Sequence, residues 1–138
     1  MFRLFVLAVV LSAAQATAWA AGAGDPQRYR LTPALLDRME AVQEESKAAG
    51  QSKAQEDVDA QSPAELAREL DADPRIRVLL AKHRLTSTEY ATAAFALIHA
   101  GMFIATESAA DKKSLAAAMA SFTPEQRANI ELLRKRTK

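Results

Sequence analysis

The sequence predicts an all-α protein: a small bundle of about five to six short helices around a central apolar helix at about 87–108, preceded by a cleaved signal peptide. Three observations carry that expectation. A hydroxyl residue precedes a helix-compatible run at Thr32, Ser62, Thr86 and Thr123, and Pro33, Pro63 and Pro124 follow three of them. That next position is the first helical slot, where a missing N–H costs nothing. From Tyr90 to Ala105 the chain carries no charge, as in a helix surrounded by other helices or by lipid. No stretch beyond residue 20 alternates convincingly with period two, so no strand has a candidate.

The elements follow in order. Arg3 precedes the apolar run Leu4 to Leu11, and small residues then end in Ala18-Trp19-Ala20. The run is too short to span a bilayer as a helix, and the triplet fits a signal peptidase. Cleavage is expected after Ala20, with Ala18 as the alternative, and the single arginine implies a Sec-type route. Residues 21–30 contain two glycines and one proline and are expected to form a flexible leader. A first helix at 31–43 presents Leu35, Met39 and Val42 as its apolar seam. Residues 44–62 hold Val58 as their one large apolar residue, and read as either a solvated helix extension or a linker. The helical core is expected at 63–138.

Within that core, Leu66 and Leu70 are the contacts of a helix at 63–71. Asp73 caps a restart at Pro74, and Ile76, Leu79 and Leu80 are expected to be buried, with Arg75, Arg77 and Lys82 facing water. In the central helix Phe95, Ile98 and Met102 are expected to fill the larger gaps, while Ala94, Gly101 and Ala105 allow close approach of neighbouring helices. A membrane reading of 90–105 is disfavoured, because a span needs about 20 apolar residues. A break near Asp111 precedes a short helix with Leu115 and Met119, and a last helix at 124–136 places Ile130 and Leu133 on one face. Glu65, Glu89 and Gln126 each lie three residues after a cap and can close a capping box.

Composition narrows the chemistry. The chain has 138 residues, a net charge of +1 and no cysteine. A disulfide framework, a thiolate zinc site and a cysteine nucleophile are therefore excluded. Bulk positive charge gives no support to nucleic-acid binding. Without residues 1–20 the chain has 17 basic and 17 acidic residues, and 27 of its 118 residues are apolar and larger than alanine. A thin core follows, since alanine brings helix propensity more than buried area. His83 and His99 are the two histidines, and neither lies in an H-x-x-x-H or HExxH pattern, so no metal site is expected. His99 and Met102, one turn apart, are the candidate cofactor-binding pair, of the kind that ligates haem. The plainer reading of His99 is a core histidine. No serine sits in a G-x-S-x-G turn, and no glycine-rich phosphate loop is present. No catalytic residue is expected and the protein is read as a non-enzyme.

Charge is uneven along the chain. Residues 37–73 hold 11 acidic and 4 basic residues. Arg75, Arg77, Lys82 and Arg84 form a basic cluster, the candidate partner-binding residues if an anionic partner exists. Complementarity between helices of one bundle is the competing explanation.

The segment Phe122-Thr123-Pro124-Glu125-Gln126 resembles the LTxxQ motif of small helical periplasmic stress proteins, with Phe in place of the first Leu. Leu31-Thr32-Pro33-Ala34-Leu35 and Leu85-Thr86-Ser87-Thr88-Glu89 depart further, lacking the glutamine. The resemblance implies a helical periplasmic protein that binds other proteins, as chaperone or stress regulator. A capping box with proline explains the same residues without ancestry. In general style the chain resembles small secreted bacterial proteins. The expected function is protein–protein binding by a soluble periplasmic or secreted protein, including a chaperone or toxin-neutralising role, with a small-ligand or haem carrier using His99 as the alternative. The expected partner is another envelope or secreted protein, with no nucleic acid and no stable membrane insertion.

Overall fold

A computed structural model describes residues 24–50 and 60–138. The expected signal peptide and residues 51–59 of the polar segment lie outside the described residues. Among the described residues there are six α-helices and no strand: α1 (Pro33–Ala48), α2 (Pro63–Ala72), α3 (Pro74–Lys82), α4 (Ser87–Thr106), α5 (Lys112–Ser121) and α6 (Pro124–Arg136). No helix among the described residues is long and apolar enough to cross a membrane.

Each helix starts where a side-chain oxygen can take an otherwise unpaired backbone N–H. Thr32 accepts from Leu35 N at 3.2 Å, Ser62 from Glu65 N at 3.2 Å and Asp73 from Arg75 N at 2.9 Å. Thr86 accepts from Glu89 N, Asp111 from Ser114 N and Thr123 from Gln126 N. Full capping boxes close at Thr86–Glu89 and Thr123–Gln126. The third expected box is displaced: Glu65 Oε2 accepts from Gln61 N at 2.8 Å, one residue before the cap.

The α3–α4 corner is a Schellman turn. Leu85 N donates to Leu80 O and Arg84 N to Ala81 O, with Arg84 in the left-handed region at φ 57°. Leu80 and Leu85, the hydrophobic pair that accompanies this motif, are both buried.

Two apolar clusters form along α4, which is about 30 Å long. The larger gathers Leu35, Leu36, Met39 and Val42 of α1 with Leu70, Ile76, Leu80, Tyr90 and Ala93. The smaller joins Ala100 and Phe103 to Ile130, with Leu115, Met119 and Phe122 packed against it. α1 is thus a central contributor to the main core. The expectation of a core at 63–138, with the first helix as an attachment, gives way to a main cluster that takes in side chains from Tyr29 to Val42. α1 also runs to Ala48, beyond the expected end at residue 43.

The leader is also corrected over its described part. Residues 24–30 were expected to be flexible, yet Tyr29 is 3% exposed, as is Leu31 just beyond them. Asn129, itself buried on α6, accepts from Leu31 N at 2.8 Å and donates to Tyr29 O at 2.9 Å. Gly24 N donates to Thr92 Oγ1 at 3.0 Å. These bonds satisfy an irregular backbone that no helix of its own could satisfy.

Candidate partner-binding surface

α4 is not buried on all sides. Its small residues Ala93, Ala96 and Ala100 face the other helices and are at most 2% exposed. The opposite side carries half-buried Phe95, Ile98 at 55% exposure and Met102 at 65% exposure. Those three were expected to fill internal gaps. Ala94, Gly101 and Ala105 were expected to face neighbouring helices. Gly101 and Ala105 instead stand at the surface, and a Cβ added at Gly101 would meet nothing within 4 Å. The physical reason is coverage. α2 and α6 make the main packing contacts with α4, and both meet it on its alanine side or at its edges. Ile98 and Met102 are left exposed, while Phe95 is half-buried beside α2 and Ala91, two turns before Ile98 on the same side, is buried.

Beside the stripe runs an apolar groove of about 270 Å³ between α2 and α4, lined by Leu66, Leu70, Tyr90, Ala94, Phe95 and Ile98. The groove is positioned by the Ser62 and Thr86 caps, which start the two helices that form its walls. A contiguous apolar strip of this kind is what protein-docking surfaces present. A second hollow, of about 400 Å³, lies among Leu36, Met39, Leu97 and Leu133. At its rim the Arg136 guanidinium is already held by Asp37 at 3.1 Å and Glu40 at 2.9 Å.

His99 and Met102 do not form an enclosed pair. The His99 ring packs edge-on against Phe122 with centroids 4.8 Å apart, and Phe122 packs in the same way on Phe103 at 5.3 Å. Met102 projects outward as part of the exposed stripe. Among the described residues no group of three or more His, Asp or Glu is placed to hold a metal ion.

The four basic candidates are scattered in role. Arg75 pairs with the cap Asp73 at 3.3 Å, and Lys82 with Glu45 of α1 at 2.9 Å. Arg84 serves the turn, and Arg38 Nη1 donates to its carbonyl at 3.1 Å. Arg77 is exposed on α3, as is Val78 beside it. His83 Nε2 lies 2.8 Å from Glu45 Oε1. Lys82 first, then His83, hydrogen-bond to the Glu45 carboxyl and hold it below the usual carboxylate range.

Two things here were hidden from the sequence. The exposed stripe carries no signal of its own, because an apolar helix reads the same whether its neighbours number two or five. Asn129 is one of many polar residues beside an apolar one, and its partners lie about 100 positions away.

Comparison of the chain with known protein families, with characterised proteins and with solved structures finds no match.

Proposed function

We propose that this chain is an exported, non-enzymatic helical protein that acts by binding another protein through the outer face of α4. The observation that carries the reading is the exposed pair Ile98 and Met102, with half-buried Phe95 beside them, on the longest of the described helices. Apolar side chains at positions i, i+3 and i+7 are the spacing by which helices engage partners. Export is supported by the charge, apolar run and Ala18-Trp19-Ala20 pattern of the first 20 residues. The expected partner is an envelope or secreted protein.

The test is affinity capture from envelope extract, with mass spectrometric identification. Wild-type protein is compared with an Ile98→Asp/Met102→Asp double variant of equal helicity and melting temperature. The expected result is a captured protein, other than this chain, that the double variant loses. Equal capture by both removes α4 from the reading. Turnover of a substrate, abolished by a single substitution, contradicts the non-enzymatic part. A peptide mass for the mature chain beginning at Ala21 is the expected mark of export.

A further inference from the structure

We infer that the α-amino group freed by cleavage after Ala20 docks in a hollow between α2 and the start of α4, and ion-pairs there with Asp71. The inference rests on the export reading and adds where the new chain end goes. The hollow measures about 300 Å³, and Gly24, Ala64, Ala67, Arg68, Asp71 and Thr88 are among its walls. The chain that precedes Gly24 therefore starts from the wall of the hollow itself. Gly24 is held in that place. Its N–H donates to Thr92 Oγ1 at 3.0 Å, and Thr92 Oγ1 donates to Thr88 O at 2.7 Å. Ala21, Gly22 and Ala23 alone separate this anchor from the expected cleavage point. Three residues reach about 10 Å, more than the width of a compact hollow of this volume. None of the three has a side chain larger than a methyl group, as so small a hollow requires.

The chemistry of the walls suits an ammonium group. Cleavage turns an uncharged amide at residue 21 into a primary amine, which is cationic at neutral pH. Asp71 is the acidic residue of the hollow and Arg68 the basic one. Both are exposed, and no ion pair joins them among the described residues. Ser87 Oγ donates to Asp71 Oδ1 and so fixes the carboxyl against α4, which leaves Oδ2 for the amine. Thr88 supplies the α4 side of the hollow without charge. The Arg68 side chain is long enough to keep its guanidinium in water, where its like charge is screened. α2 is also one wall of the apolar groove beside Phe95 and Ile98. The docked amine thus ties the leader to a helix that shapes the docking surface, and the tie exists only in the processed chain.

The test compares three exported forms of equal helicity: wild type, Asp71→Asn, and a chain with Ala-Gly inserted ahead of Ala21. The insertion keeps an alanine amine but carries it beyond Asp71, and it leaves Asp71 and Ser87 untouched. Each form is purified from the envelope fraction and its first residue is read by mass spectrometry. Its α-amine is then labelled with limiting acetic anhydride at pH 7. An ion pair favours the charged amine and lowers the neutral fraction that reacts. Wild type is expected to label at least about threefold slower than either variant, equivalent to about half a pKa unit. Equal labelling of wild type and Asp71→Asn overturns the inference, as does equal labelling of wild type and the inserted chain. With wild type beginning at Ala21, such a result leaves the export reading standing without the docked amine. A wild-type chain that begins at Trp19 also overturns the inference alone. One that keeps residues 1–20 overturns both.

Discussion

Asn129 does the work of two backbone groups at once. It is 1% exposed, and its amide matches one donor and one acceptor of the leader. Asn129→Leu keeps the volume but leaves a buried N–H and a buried C=O without partners. Each such group costs about 1–3 kcal/mol, so a loss of about 3 kcal/mol is expected in urea unfolding. Arg84 shows the opposite situation. Its φ of 57° places a Cβ where glycine would be free of strain. Arg84→Gly is expected to stabilise the protein by up to about 1 kcal/mol, read as a rise in the same urea midpoint. At this scale the sequence was legible wherever a residue acts on its immediate neighbours. Thr32, Ser62, Asp73, Thr86 and Thr123 are caps by chemistry that reaches two or three residues. Asn129 and Arg84 were not legible, because their roles are set by distant backbone in one case and by turn geometry in the other.

At the scale of elements, α1 and α3 are tied by Glu45, which receives both Lys82 and His83. The folded-state proton affinity of Glu45 is depressed by those two hydrogen bonds, Lys82 first. A depressed carboxyl contributes stability above its unfolded value of about 4.3, and that contribution is lost as pH falls through the lower folded value. Asp73 and Asp111 behave in the same sense, through Arg75 and through the backbone N–H of Ser114 respectively. Between pH 7 and pH 3 the melting temperature of wild type is therefore expected to fall further than that of Glu45→Gln, which has already lost the contribution at neutral pH. Equal falls would show that the tie carries no pH-dependent stability. Helix existence and order were legible at this scale from caps and uncharged runs. The role of α1 was not, because the polar segment after residue 43 concealed how many of the preceding side chains the core would take up.

For the whole molecule, the question the sequence left open was which face of α4 lacked a neighbour. Composition gave a helix apolar all round, and burial on all sides was the natural inference. The described helices do not enclose it, so alanines took the inside and the bulky Ile98 and Met102 were left outside. The same global packing fastens the beginning of the described chain to its end. Leu31 and Tyr29 bond a residue 98 and 100 positions further on, and Arg136 reaches back to Asp37 and Glu40. A chain truncated after Ser121 is accordingly expected to lose its cooperative thermal transition, as followed by circular dichroism. The Asn129 clamp also acts as a clock. Residues 29–31, synthesised before every described helix, have to wait for almost the last helix before they can settle. Until then Tyr29 and Leu31 have no seat, and contacts so remote along the chain are slow to form.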